Sequence, residues 1–186
     1  MALKVGVSSC LLGNKCNFDG NDLLSAFLKK LSENDQIEFV QFCPEDFIFG
    51  TPRANLRIVG GDGNDVLDGK AVVINQNNED VTEELIRGAN QFLKQLVESE
   101  VSHAILMDGS PSCGSSVLLK EDSWPRGGFK RGSGVAAALL KRNGINVIGG
   151  FDESSISTFL KAKIKDIQFE SGLKDLKDLP KFKPLF

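Results

Sequence analysis

The chain has 186 residues, 41% of them hydrophobic and 25% charged, with a formal net charge of −3. That length allows one domain with a sizeable core, and the composition is ordinary for a globular fold. The charge argues against non-specific nucleic-acid binding, no apolar run is long enough to span a bilayer, and the start, Met1-Ala2-Leu3-Lys4, lacks the pattern of a signal peptide, so a cytoplasmic protein without a membrane segment is expected.

The first predicted strand, Leu3–Ser8, leads into Ser9-Cys10-Leu11-Leu12-Gly13. Residues 23–31 carry Leu23, Leu24, Ala26, Phe27 and Leu31 at helical spacing. A second strand, Ile37–Phe42, runs into Cys43-Pro44-Glu45. Residues 60–68 fit the calcium-binding nonapeptide GGxGxDxUx, but those repeats work by stacking, and this chain has one copy. The segment is expected to be a glycine-rich turn between short strands, its aspartates accepting from local backbone donors. A strand at 71–74 precedes the strongest helix, Thr82–Glu98, in which Leu85, Ile86, Ala89, Phe92, Leu93, Leu96 and Val97 follow the 3.6 period. A strand at 103–107 leads to Ser110-Pro111-Ser112-Cys113-Gly114. An alanine- and leucine-rich helix at 133–142 stops at Asn143-Gly144, followed by a strand at Asn146–Gly149. A last helix starts near Asp152, with Ile156, Phe159 and Leu160 on one face.

Strands alternating with helices predict an α/β fold, a three-layer Rossmann-like parallel sheet flanked by helices, in one domain over residues 1–165. Residues 166–186 form a C-terminal extension. Leu173, Leu176 and Leu179 recur there among lysines and aspartates, and Pro180 and Pro184 stop any helix. Packing over the domain and packing onto a partner are both open for this tail.

Four cysteines without a signal peptide argue against a disulfide framework, and no CxxC pair is present. The spacing from Cys10 to Cys16 matches no zinc signature. Cys10, Cys43 and Cys113 each follow a predicted strand. In one parallel sheet, the ends of those strands share the edge where open α/β sheets bind ligands. Any one of these cysteines alone reads as a small buried hydrophobe. Their small, polar and turn-forming neighbours instead favour a shared site. Three thiolates suit zinc with a water, or a 4Fe–4S cluster with one iron unligated by protein, and thiolate ligation does not separate these. His103, the single histidine, starts a strand and reads as structural. Gly132-Ser133-Gly134, with Arg126, Lys130 and Arg131 upstream, is either a nucleotide-phosphate site or a plain helix start.

Seven blocks occur in order: Ser9-Cys10-Leu11-Leu12-Gly13, Cys16-Asn17-Phe18-Asp19-Gly20, Cys43-Pro44-Glu45, Thr51-Pro52-Arg53, Val59-Gly60-Gly61-Asp62-Gly63, Ser110-Pro111-Ser112-Cys113-Gly114 and an alanine-rich run from Gly134 to Leu140. With them the chain resembles domain-of-unknown-function family 523, whose characterised members are thiouracil desulfurases, over about residues 3–150. The resemblance implies that Cys10, Cys43 and Cys113 ligate a 4Fe–4S cluster whose fourth iron takes sulfur from a thiolated pyrimidine. That substrate would be 2-thiouracil, 4-thiouridine or a related nucleotide. Glu45 and Ser110 match the proton-handling residues. The implied chemistry is non-redox: a thiocarbonyl becomes a carbonyl and hydrosulfide leaves. Ser9, Arg53 and Ser112 are candidate substrate contacts, although Arg53 also reads as a surface arginine after a turn proline. Asp19 reads as a brace for the Cys10 loop. Such a cofactor implies iron–sulfur assembly machinery as a partner; an oligomer is left open.

Three departures lie beside the expected pocket. Asn17-Phe18 replace the usual Arg-Tyr, Met107-Asp108-Gly109 stand where a lysine is common, and residues 46–50 lack paired glycines. They bear on the substrate more than on the cluster. The rival reading is a metal- or cluster-binding module without turnover, a sensor or assembly partner acting through its tail. Glu45 and Ser110 discriminate, since pure binding needs neither. A metal-free cysteine hydrolase ranks last for want of a histidine base.

Overall fold

The computed structural model describes residues 2–121 and 128–186. Its elements in chain order begin with β1 (Leu3–Ser8), α1 (Ala26–Leu31), β2 (Ile37–Phe42), α2 (Pro44–Phe49), β3 (Leu56–Val59), α3 (Gly63–Leu67), β4 (Val72–Asn75) and α4 (Thr82–Glu98). They continue with β5 (His103–Leu106), β6 (Val117–Leu119), β7 (Phe129–Arg131), α5 (Val135–Arg142), β8 (Asn146–Gly149) and α6 (Glu153–Lys163). The main sheet has the order β2-β1-β5-β8, and every pair in it is parallel.

Helices cover both faces of that sheet, as the alternating pattern predicts. On one face, Leu85, Ala89, Phe92 and Leu96 of α4 and the alanine-rich side of α5 pack against Val40, Ala104 and Leu106. On the other, Leu28 and Leu31 of α1 and Ile156 and Leu160 of α6 pack against Val5, Val7 and Ile105. Ala104, Ile105 and Leu106 alternate between the two clusters, the period of two that a strand imposes. Phe92 is fully buried and stacks on Phe42, with ring centroids 5.2 Å apart. Burial of such a ring contributes about 1.5–3 kcal/mol.

The periphery departs from the sequence reading. The strand expected at 71–74 is β4, and it pairs antiparallel with β3 in a separate two-stranded sheet. The five-residue α3 between them reverses the chain instead of crossing it over. That helix occupies the segment expected to be a turn. Its aspartates do take local donors: Asp62 accepts from the amides of Asn64 and Asp65, and Asp65 accepts from the amide of Asp62. This capping box stabilises a helix too short to stand on propensity. The hairpin β6–β7 and the helix α2 have no counterpart in the sequence reading. The helix expected from residue 23 begins at Ala26. Upstream, the amides of Leu23 and Ser25 are bound to the carbonyls of Cys10 and Leu11.

The tail packs on its own chain. Phe182 is fully buried beside Leu176 and Val117, and it meets Phe129 edge-on at 4.7 Å between centroids. Arg131 Nε donates to the Leu185 carbonyl at 2.7 Å. Among the described residues no helix is long and apolar enough to cross a membrane.

Candidate active site

The chain steps from β1 to β2 on one side and resumes at β5 on the other, so the strand order reverses beside β1. Crevices at such points, beyond the carboxyl ends of the strands, are where open α/β sheets take ligands. Three loops meet there. Cys10 sits in a 3-10 turn, Ser9–Leu12, directly after β1. Cys43 follows β2 and caps α2, its sulfur accepting from the Asp46 amide at 3.4 Å. Cys113 lies in the turn after β5. Ser8 Oγ accepts from the Met107 amide at 3.0 Å and so ties the end of β1 to the start of that turn.

Helix packing fixes these loops. The first amides of α5, normally unpaired at a helix start, donate to the Cys113 loop: Val135 N to Pro111 O at 2.9 Å and Ala136 N to Ser112 O at 2.8 Å. Gly134 permits this approach, because a Cβ there would lie 2.5 Å from the Ser112 carbonyl carbon. Likewise α4 holds α2 through Gly88, whose Cβ would come 2.5 Å from Pro44 O. The phosphate site considered at 132–134 is therefore closed. Ser133 N donates to Asp62, and Gly132 N and Gly134 N donate to backbone carbonyls. Lys130 is engaged with Gly61 O and Glu121, and Arg131 with Leu185 O. Arg126 lies outside the described residues.

One cavity of about 230 Å³ is lined by Cys10, Cys43 and Cys113 together with Ser9, Glu45, Arg53, Ser110 and Ser112. The eight residues expected to ligate the cluster, handle protons or touch the substrate thus line one cavity. The same lining includes residues given no role from the sequence, among them Cys16, Asn55, Asp108 and Lys181. Cys16 is buried, and its carbonyl lies 3.7 Å from the Cys43 sulfur. Asp108 carried a signal, a carboxylate two residues past a parallel strand. Lys181 carried none. His103 stacks on Phe159 at 4.1 Å between centroids, away from the cavity lining. Asp19 accepts from Asn17 and Asn21 and braces the loop after Cys16.

Glu45 is the centre of the polar wall. It is buried, in the first turn of α2. Its Oε1 accepts from Ser112 Oγ at 2.6 Å and Ser110 Oγ at 3.2 Å. Its Oε2 accepts from Arg53 Nε and Nη2, each at 3.2 Å. Arg53 is itself spent: Nη1 donates to Gly50 O and Thr51 Oγ1, and Nη2 also donates to Cys16 O. A guanidinium has five N–H donors, and protein acceptors take all five. The pair is buried, with side-chain exposures of 5% for Arg53 and 9% for Glu45.

The thiols press on one another. Burial first, and then the neighbouring Cys43, push the Cys113 pKa up to about 12. A hydrogen bond with Cys10 is the main cause that pushes Cys16 up to about 12. Cys43 is raised chiefly by its hydrogen bond with Cys16 and by burial. Crowded, desolvated thiols resist ionising together unless a cation compensates them. Among the described residues no group of three or more His, Cys, Asp or Glu side chains is arranged to hold a metal ion. Asp108 has its carboxyl raised by burial, against hydrogen bonds from Ser115 Oγ at 2.6 Å and Phe151 N at 3.2 Å.

The family model described as 2-thiouracil desulfurase matches residues 5–150, a span that contains all three loops. The chain belongs to the 2-thiouracil desulfurase family. The protein is 42% identical over 143 residues to the Bacillus subtilis (strain 168) protein named "Uncharacterized protein YbbK", covering 76% of this chain and 92% of that one. It also resembles a solved structure titled as a 4Fe-4S-dependent thiouracil desulfidase, TudS, with a TM-score of 0.69 and 30% identity, over 86% of this chain and 99% of that one. The parallel sheet with helices on both faces is therefore the fold shared with that desulfidase.

Proposed function

We propose that this protein removes sulfur from a thiolated pyrimidine, 2-thiouracil, 4-thiouridine or a related nucleotide, with a 4Fe–4S cluster as cofactor and hydrosulfide as product. The observation that carries the proposal is the placement of Glu45. A buried carboxylate held by two serines and an arginine faces the same cavity as three cysteines from three separate loops. A pure binding module needs no such group.

The donor set fits the cofactor. Cys10, Cys43 and Cys113 line one cavity from three separate loops, and each would hold one iron of the cluster. A cluster held by these three cysteines would leave its fourth iron free of protein and would supply a Lewis acid for the sulfur of the substrate. The protein supplies the rest. Glu45 takes a proton from the water that attacks the thiocarbonyl carbon, a step that general bases speed by about 10²–10⁴-fold. Water oxygen replaces sulfur on that carbon, the proton held by Glu45 passes through Ser110 to the departing sulfide, which leaves as hydrosulfide, and the second water proton is lost to solvent as the carbonyl forms. No electron is gained or lost. Arg53 and Ser112 position Glu45 and do not contact the substrate, because their donors are already committed to protein acceptors. Among the described residues Ser9 Oγ makes no side-chain hydrogen bond, which leaves this serine to meet the pyrimidine. Unpaired thiols and such a cluster suit a reducing compartment, and the proposal places the enzyme in the cytoplasm, served by iron–sulfur assembly proteins.

The test is anaerobic reconstitution followed by sulfide release from 2-thiouracil and 4-thiouridine. The proposal expects about four iron and four sulfide per chain and stoichiometric conversion of thiocarbonyl to carbonyl. Cluster loading without turnover of any thio-pyrimidine would leave the binding-module reading in its place.

A further inference from the structure

Among the described residues two basic side chains reach the cavity, and they are used differently. Arg53 gives every donor to the protein. Lys181 lines the same cavity from the C-terminal tail. Among the described residues its ammonium makes no hydrogen bond or ion pair. It lies over two rings, 4.1 Å from the Phe151 centroid and 4.7 Å from the Phe182 centroid. The carboxylate it feels is Asp108, whose oxygens already accept from Ser115 and Phe151.

The placement of Lys181 is built into the fold. Its neighbour Phe182 is fully buried and packs edge-on against Phe129, itself part of the cavity wall. On the other side Pro180 restricts the backbone. Beyond it, Leu185 is pinned through its carbonyl by Arg131. Lys181 is exposed overall yet lines the cavity, so it stands where the cavity opens. A volume of about 230 Å³ is smaller than the roughly 300–1,000 Å³ of drug-sized pockets, and with the cluster on the three cysteines a base would extend its outer atoms to that opening. Desolvation holds the Lys181 pKa below the usual lysine value, so its ammonium gains from an oxygen partner that replaces lost water.

We propose that Lys181 is a substrate-binding, specificity-determining residue, supplied to the active site by the C-terminal tail, and that its ammonium donates to an electron-rich oxygen of the substrate. The inference rests on the desulfidase reading. It concerns a part of the chain that the family match, ending at residue 150, does not cover. Two oxygens share this chemistry: the ring carbonyl that keeps its oxygen, and the phosphate of a nucleotide.

The test uses Lys181→Met, which keeps the stem on the two rings and removes the charge, and Lys181→Arg, which keeps the charge. Reconstituted enzymes are compared for iron content, for calorimetric binding of uracil and uridine 5′-monophosphate, and for KM and kcat on 2-thiouracil and 4-thiouridine. Loss of one charge-assisted hydrogen bond predicts binding about tenfold weaker or more in Lys181→Met, with iron unchanged and the loss falling on KM. Lys181→Arg should stay within a few-fold of wild type. Weaker binding of both ligands assigns the ring oxygen; weaker binding of the monophosphate alone assigns the phosphate. Unchanged binding and KM for Lys181→Met would overturn the inference, as would a wild type that binds neither ligand. A wild type that binds them but releases no sulfide would sink the desulfidase reading and leave the role of Lys181 to be judged by binding alone.

Discussion

Ser112 and Glu45 stand 67 residues apart in the chain, yet Ser112 Oγ donates to Glu45 Oε1 at 2.6 Å. This contact joins the loop of one cysteine to the helix that another caps. It exists because α5 holds the Cys113 loop by its backbone while α4 holds α2 at Gly88. The acid–base group and the thiols are thereby set in one frame.

Removing that hydroxyl tests the frame. A hydrogen bond to a charged group contributes about 1.5–3 kcal/mol. Ser112→Ala should therefore lower kcat for sulfide release by about ten- to a hundred-fold, with iron content unchanged. A variant as fast as wild type would mean that Ser112 does not position Glu45.

Arg53 should matter first for stability. Deleting one partner of a buried pair leaves the other charge uncompensated, at a cost of about 3–5 kcal/mol. Urea unfolding of Arg53→Met under argon should show a loss of that size. Adding Glu45→Gln to Arg53→Met should recover part of it, since the orphaned charge is then gone. Purely additive effects would contradict a buried pair.

The cysteines divide three to one in the proposal. Cys10→Ser, Cys43→Ser and Cys113→Ser should each fail to retain iron after anaerobic desalting. Cys16→Ser should retain it, because three ligands already leave the one open iron that catalysis requires. Cys16 lines the cavity too, so the comparison is a sharp one. Iron lost from Cys16→Ser alone would point to a closed four-cysteine site.

Asp108 gives a pH signature. Burial raises its carboxyl above the ordinary carboxylate range near 4. The native state therefore holds this proton at pH values where the unfolded chain has released it. The stability it contributes is full below that range and is lost as pH rises through the folded value. Asp19, Asp68, Asp80 and Asp175, lowered by their hydrogen bonds, act in the opposite sense. The measurement is thus a difference: as pH rises above the ordinary carboxylate range, wild type should lose stability relative to Asp108→Asn. Parallel stability curves for the two proteins would refute the shift.

The central sheet and the three cysteine loops were legible because they rest on local rules. Alternating and 3.6-period patterns give the strands and α4, and parallel strands put the loops that follow them at one edge. The pairing of β4 was not legible, since nothing in residues 71–74 says which strand they join. The site was read unevenly for the same reason. Cys43-Pro44-Glu45 is contiguous and announces itself, whereas the role of Arg53 depends on five hydrogen bonds to four acceptors spread from Cys16 to Thr51. Lys181 was invisible because its place is decided by how Phe182 packs on Phe129, a contact between segments far apart in the chain.

The most direct test concerns Glu45. Gln at this position keeps the size of the side chain and can turn its oxygen toward Arg53 and its amide toward the two serines, whose hydroxyls rotate to accept. It cannot take a proton from water. Wild type and Glu45→Gln, loaded anaerobically to equal iron, should be compared for hydrosulfide release from 2-thiouracil. The account predicts rapid release by wild type and a rate about 10²–10⁴-fold lower for the variant, with the same iron content and the same visible spectrum. Equal rates in the two proteins would contradict it.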